Sequence, residues 1–249
     1  MTNQISDTAM ILAAGQGLRM RPLTLAKPKP LFEVGGRTML DLALDKLVAA
    51  GIRRAIVNTF HLAEQIETHL KTRRDIEIII SRETELLDTG GGIRNALPHF
   101  KGLPFLALNA DLPWTDGAVP GLERLKAAWQ PQMMDVLLLL MPTKKARGFA
   151  ATGDFALEKD GRVWRKGLAP PRPYVLISAQ IVKPELFASV PKRIFSNNEI
   201  WDEAEARNRL YGVVHDGGCH HVGTPEDLAI ANELLASGKG WLVGGEAPT

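Results

Sequence analysis

Apolar residues in this chain fall into short runs and helical stripes that alternate along its length. Residues 9–14, 55–58, 76–80, 104–109 and 135–141 are runs with little polar alternation, the pattern of strands buried on both faces. Between the first two, residues 38–50 place Leu40, Ala43, Leu44, Leu47 and Val48 on one helical face, and Gly51 supplies a stop. Residues 62–72, 91–97 and 117–129 also read as helices. This βαβα alternation predicts an α/β chain with a mostly parallel sheet and helices on both faces. Ligands of such a sheet bind beyond the carboxyl ends of its strands.

Beyond residue 141 the rhythm loosens. Residues 142–173 hold prolines, glycines and many charges, and read as a hairpin and an exposed loop carrying Pro170, Pro171 and Pro173. A strand at 174–182, helices near 184–188 and 198–207, a strand at 209–215 and a helix at 224–236 complete the pattern. No linker, repeat or low-complexity stretch divides residues 1–249, so one domain is expected.

Composition narrows the class. With 45% hydrophobic and 23% charged residues, the 249-residue chain is ordinary for a globular protein. A net charge of +2 implies no broad polyanion surface, so nucleic acid is not an expected partner. Cys219 is the single cysteine and excludes an intramolecular disulfide, which suits a reducing compartment. The start, MTNQISDT, has no basic and apolar leader pattern, and the run at 136–141 is far too short to span a bilayer. A cytoplasmic protein without a membrane partner is expected, and the oligomeric state stays open.

The most informative segment is residues 10–31, MILAAGQGLRMRPLTLAKPKPL. Gly15 and Gly17 permit a sharp turn that aims N–H groups at a ligand, and Arg19, Arg21, Lys27 and Lys29 add cations. A polyphosphate site is the natural reading, with a basic surface loop as the alternative. A dinucleotide fingerprint would need glycine at Met20 and a helix that Pro22, Pro28 and Pro30 forbid, and a P-loop would need Gly-Lys-Ser/Thr.

These residues resemble the signature LAxGxGxRxxPLTxxxPKPL of the nucleoside-diphosphate-sugar pyrophosphorylases. The match runs through Leu12, Ala13, Gly15, Gly17, Arg19, Pro22, Leu23, Thr24, Pro28, Lys29, Pro30 and Leu31. The resemblance implies a Rossmann-like, GT-A-like nucleotidyltransferase in which a sugar 1-phosphate attacks the α-phosphorus of a nucleoside triphosphate and releases pyrophosphate. Residues of about 8–141 would then hold the nucleotide and about 142–240 the sugar phosphate. It also implies that Leu12, Ala13, Ala14, Gly15 and Gly17 cradle the nucleotide. Arg19 would hold the leaving pyrophosphate, and Lys29 would act on the α-phosphate side.

Two further segments extend the resemblance. Asn109-Ala110-Asp111 ends the apolar run PFLAL; an aspartate there can cap a turn, but the family pattern implies that Asp111 binds Mg²⁺ and Asn109 meets the ribose or sugar. Asp88-Thr89-Gly90-Gly91-Gly92 reads as a glycine turn with exposed N–H groups. It looks like the (E/D)TGGG of short bacterial uridylyltransferases acting on N-acetylmuramate 1-phosphate, which implies base or ribose contacts at Thr89, Gly90 and Gly91. Glu83 is a further base-edge candidate. Asp154, in Gly153-Asp154-Phe155, and Asn198, in SNNEIW, would face the sugar phosphate, whereas Trp201 reads as helix packing.

Two departures stand out. The family's second metal-binding carboxylate precedes Val-Gly-Thr, where this chain has His221, a softer ligand that suits manganese or zinc better than magnesium and could instead meet the triphosphate. Asp216 is no simple substitute, His220 and His221 point to opposite strand faces, and Cys219 reads as a buried small residue. At Leu176-Ile177-Ser178 relatives carry an aromatic-Thr/Ser-Gly run lining the sugar site; Ser178 is a sugar-phosphate candidate, and the bulk of Ile177 sets this chain's sugar specificity apart from that pattern. The resemblance implies UTP and N-acetyl-α-muramate 1-phosphate as substrates in cell-wall recycling, with Mg²⁺ (or Mn²⁺) as cofactor. Mannose-1-phosphate guanylyl transfer, and a nucleotide- or sugar-binding module impaired in catalysis, are the alternatives.

Overall fold

The computed structural model describes residues 4–149, 152–165, 172–238 and 241. Pro170 and Pro171 of the expected exposed loop lie outside these residues. Seven strands form the central sheet: β1 (Thr8–Leu12), β2 (Arg54–Thr59), β3 (Glu77–Arg82), β4 (Phe105–Asn109), β5 (Val136–Pro142), β6 (Tyr174–Val182) and β7 (Leu210–Val214). Their order is β7-β5-β6-β4-β1-β2-β3. β1 pairs in parallel with β2 and β4, and β2 with β3 and β5 with β7 likewise; β6 runs antiparallel to both β4 and β5. The sheet is therefore mostly parallel, as the alternation predicts.

Helices cover both faces because successive side chains of each strand bury on opposite sides. Ala9, Ile11, Val57, Leu106, Leu108, Leu137 and Leu139 pack under α1 (Met39–Ala49), α2 (Ala63–Leu70) and α4 (Gly121–Ala128). The intervening Met10, Ile56, Ala107, Leu138 and Leu140 pack under α3 (Asp88–Ala96) and α5 (Asn197–Ala206). Each fully buried leucine or isoleucine among them is worth about 1.5–3 kcal/mol. α6 (Pro225–Ala236), opened by a capping box between Thr224 and Asp227, joins Met20, Val34, Met39 and Val222 in a third cluster behind the glycine loop.

Several boundaries move, each for a local reason. β1 ends at Leu12, short of Ala14, because the Ala13 N–H donates to the Asn58 side chain (2.7 Å) and leaves the ladder. α4 begins only after Pro120, at its N-cap. α3 starts at Asp88, so the glycine triplet forms helical turns where an open turn was expected. Residues 142–173 do contain a hairpin, Ala156–Leu157 against Val163–Trp164. An unforeseen small sheet joins Trp114–Thr115, Gly218–His220 and Ala146–Arg147, drawing three distant segments to one end of the main sheet.

Candidate active site

Two cavities open side by side beyond the carboxyl ends of β1 and β4. The first, about 450 Å³, is walled by Leu12, Ala13, Ala14, Gly15, Gly17, Lys29, Pro30, Asn58, Leu86, Asp88, Thr89, Asn109, Asp111 and Ile194. The second, about 380 Å³, is walled by Asn109, Asp111, Leu112, Phe149, Asp154, Phe155, Arg165, Arg172, Leu176, Asn198, Trp201 and His221. Asn109 and Asp111 belong to both walls, so the two spaces meet at the end of β4.

The loop after β1 is held from below by a buried relay. The Ala13 N–H donates to Asn58 Oδ1 (2.7 Å), Asn58 Nδ2 donates to Glu83 Oε1 (2.7 Å), and Glu83 Oε2 accepts from the Leu87 N–H (2.9 Å). Asn58 is 2% and Glu83 6% exposed. Burial pushes the Glu83 carboxyl above the usual carboxylate range, against the pull of its two N–H donors. Glu83 therefore spends both oxygens on the scaffold and lines neither cavity. The glycine at 17 is required: its φ is +60°, and a Cβ there would lie 2.9 Å from Thr24 Cγ2 and 3.2 Å from Lys29 Cβ.

Lys29 sits in a short turn behind Pro28, its side chain 7% exposed, and Nζ donates to Asp111 Oδ2 at 2.8 Å. Asp111 is placed by a pin two residues earlier, at the last residue of β4. Ser178 Oγ donates to the Asn109 carbonyl (2.8 Å) and accepts from the Asn109 N–H (3.1 Å). Ser178 has φ +70° and lies where β6 slips register between Leu176 and Gln180. Its hydroxyl thus stands in for ladder bonds and holds the end of β4, at the cost of an uncommon backbone conformation. Ser178 is 3% exposed and lines neither cavity. Ile177 is fully buried in the core, so its bulk does not obstruct the second cavity; Leu176 lines it instead.

The glycine triplet is a packing device. Gly90 and Gly91 N–H groups both donate to the Phe195 carbonyl (2.9 and 3.1 Å), so they do not present the exposed donors expected of a turn. A Cβ on Gly90 would fall 2.4 Å from the Phe195 ring, on Gly91 2.6 Å from the Arg193 carbonyl, and on Gly92 2.7 Å from Asn58 Nδ2. Phe195 N–H returns to the Leu87 carbonyl (3.2 Å), and Asn197 N–H donates to Thr89 Oγ1 (2.8 Å). The start of α3 and the start of α5 are therefore clamped together between the two cavities.

His221 follows the Gly218–His220 strand into the second cavity. Its Nδ1 lies 3.1 Å from the Gly148 carbonyl, which only accepts, so Nδ1 carries the proton. The Nε2 lone pair then faces Arg19 Nη2 at 3.5 Å. Burial, with Lys29 and Arg19 nearby, holds the imidazole below its usual range and hence neutral, and Phe149 stacks on it with ring centroids 5.0 Å apart. Arg19 itself is exposed and lies outside both walls. Asp216 pairs with Arg124 (2.7 Å), and Cys219 is fully buried, its thiol pushed up by burial.

A hard divalent cation fits one part of this donor set. The Asp111 carboxylate is 41% exposed at the junction of the cavities, an oxygen donor of the kind that Mg²⁺ shares with phosphate oxygens and water. No group of three His, Cys, Asp or Glu side chains able to hold a metal occurs among the described residues. His221 directs its lone pair at a guanidinium, so ligation there would require Arg19 to swing away.

Sequence reading thus placed Leu12, Ala13, Ala14, Gly15, Gly17, Lys29, Thr89, Asn109 and Asp111 on the first wall and Asp154, Asn198 and His221 on the second. It did not single out Asn58, Asp88, Ile194, Arg165 or Arg172. Asn58 had a signal, a polar residue closing an apolar run, and Asp88 had one as the first residue of the segment matched to (E/D)TGGG; Ile194, Arg165 and Arg172 had none.

A family model described as "Nucleotidyl transferase" matches residues 8–163. The chain is 40% identical to the N-acetylmuramate alpha-1-phosphate uridylyltransferase of Caulobacter vibrioides, over 94% of this chain and 99% of that protein. It is 32% identical to the protein of that name from Neisseria meningitidis serogroup B, over 93% and 99%. Among solved structures, HddC from Yersinia pseudotuberculosis superposes with a TM-score of 0.74 at 21% identity, over 92% of this chain and 99% of that one, a likeness of fold.

Proposed function

The chain belongs to the nucleotidyl transferase family and is a sugar-1-phosphate nucleotidyltransferase, and we propose that it joins UTP to N-acetyl-α-muramate 1-phosphate. A phosphate oxygen of the sugar attacks the α-phosphorus, the bond from that phosphorus to the bridging α–β oxygen breaks, and pyrophosphate leaves with its electron pair. The observation that supports this best is the pair of cavities meeting at Asn109 and Asp111, one behind the glycine loop and one lined by Asp154 and Asn198. Such a site brings two anionic substrates into line and neutralises the charge that develops between them.

In this reading the loop from Leu12 to Gly17 wraps the triphosphate. Lys29 offers a nearly buried point charge to the α-phosphate once it releases Asp111. Arg19 grips the leaving pyrophosphate with its planar guanidinium. His221, neutral and proton-bearing at Nδ1, holds Arg19 from behind. Thr89, Leu86 and Ile194 close around the base and ribose. Mg²⁺ bound at Asp111 would supply charge neutralisation on the phosphate oxygens. An N-acetylmuramate nucleotide is a cell-wall building block, so cytoplasmic wall recycling is the proposed setting.

The test is pyrophosphate release from each of the four nucleoside triphosphates paired with N-acetylmuramate, mannose and glucose 1-phosphates, with Mg²⁺ or Mn²⁺. UTP with N-acetylmuramate 1-phosphate should give the highest kcat/KM, by at least about tenfold. Preference for GTP with mannose 1-phosphate overturns the substrate assignment. Nucleotide binding without turnover of any pair would make this an impaired binding module.

A further inference from the structure

We propose that Arg165 reads a second negative charge on the sugar, so that the site selects an acidic sugar 1-phosphate over its neutral counterpart. The inference rests on the N-acetylmuramate reading and deepens it, because N-acetylmuramate differs from N-acetylglucosamine by a lactyl ether that ends in a carboxylate. Cations are divided between the two cavities. Lys29 lines only the first, beside Asp111, where phosphate charge must be met. Arg165 and Arg172 line only the second. A neutral hexose can be read through hydroxyl partners of the kind that Asp154 and Asn198 provide, whereas a planar guanidinium matches a carboxylate with two parallel bonds.

Arg165 is built as a fixed fork. It follows the Val163–Trp164 strand, and its guanidinium lies over the Trp201 ring, 5.8 Å from the centroid. Nη1 donates to Asp202 Oδ1 and, at 3.4 Å, to the Asn198 carbonyl. Among the described residues these bonds all leave from Nη1, so the edge formed by Nε and Nη2 keeps the geometry that matches a carboxylate. The side chain is 20% exposed and ion-paired with Asp202 through Nη1, so it is partly desolvated and held in place before any ligand arrives, and a ligand carboxylate would share the guanidinium with Asp202. Trp201 is in turn fixed by donation from Nε1 to Gln180 Oε1 (2.8 Å). Arg165, Trp201 and Asn198 thus form one wall, anchored on α5.

The experiment compares kcat/KM for N-acetylmuramate 1-phosphate, N-acetylglucosamine 1-phosphate and the lactyl amide of the former, each with UTP, in wild type, Arg165→Gln and Arg165→Lys. Wild type should prefer the acid over both neutral sugars, and Arg165→Gln should collapse that preference by about 30-fold or more. Arg165→Lys, a point charge without the fork, should recover part of it. A role confined to supporting α5 would lower all substrates together and leave the ratio unmoved, which overturns the proposal. So does a wild type that uses the lactyl amide as well as the acid, a result that needs no variant to fold. A wild type that does not distinguish N-acetylmuramate from N-acetylglucosamine 1-phosphate overturns the substrate reading itself.

Discussion

Asn58→Asp should convert the relay beneath the glycine loop into a pH-dependent fault. Asp keeps the shape of Asn58, so one oxygen still accepts the Ala13 N–H. The other takes the place of Nδ2, 2.7 Å from Glu83 Oε1, where two carboxylates cannot both stay ionised. While the pair holds one proton, an O–H···O bond replaces the lost N–H···O bond and the fold is little changed. The folded pair therefore has a raised pKa, its contribution is fully present below the unfolded carboxylate range, and it is lost as pH rises through the folded value. Above that value two ionised carboxylates stand buried side by side where a hydrogen bond stood, and an uncompensated buried charge of this kind costs about 3–5 kcal/mol. That is a large part of a typical stability of about 5–15 kcal/mol. Wild-type Glu83, already pushed up by burial, contributes a smaller trend of the same sign, so the difference between the two proteins is the quantity to read. Urea unfolding of both proteins from pH 5 to pH 8 should show the gap widening by about 2–3 kcal/mol. A gap that is flat across this range, or that narrows with pH, refutes the relay.

Three other outcomes follow from the geometry. Asp111→Ala should cut pyrophosphate release by at least about a hundredfold in kcat while far-UV circular dichroism stays native; near-normal turnover would remove Asp111 from the chemistry. Cys219, fully buried with its thiol pushed up, should resist aromatic disulfide reagents in the native protein and react on denaturation. Rapid native labelling would show that the Gly218–His220 strand opens readily. His215 and His220 are both held below the usual imidazole range, first by burial, so their stabilisation is present above about pH 6.5 and lost as pH falls. Tm should therefore drop from pH 7 to pH 5, with less effect in His215→Gln, and a flat profile contradicts their neutral burial.

Local patterns carried much of the architecture. The apolar runs named the central strands because a strand buried on both faces leaves little room for polar side chains, whereas the run at 76–80 forms the half-exposed edge strand β3; the stripe at 38–50 named α1 because one face alone is buried. The glycine-proline segment could be read as an anion loop because Gly17 needs a left-handed φ and the prolines exclude a helix. Other residues misled because their type fits two roles. Gly90 and Gly91 look like bare N–H donors, yet their missing Cβ atoms admit Phe195 and Arg193 from about a hundred positions away. Glu83 looks like a base reader, yet Asn58 and Leu87 occupy both its oxygens. Ser178 looks like a sugar contact, yet it repairs the ladder at Asn109.

By itself the chain's order of residues determined a mostly parallel α/β sheet, the position of a glycine-proline loop after its first strand, and an aspartate just past the end of β4. These depend on neighbours within a few positions, where periodicity and backbone restriction act directly. Tertiary structure alone decided that Lys29 meets Asp111 across 82 positions, that His221 turns its lone pair to Arg19 across 202, and that Arg165 comes to rest over Trp201 on the second wall. Such pairings have no local signature. A charged or polar side chain acquires its role from whichever partner the folded sheet brings within hydrogen-bond reach.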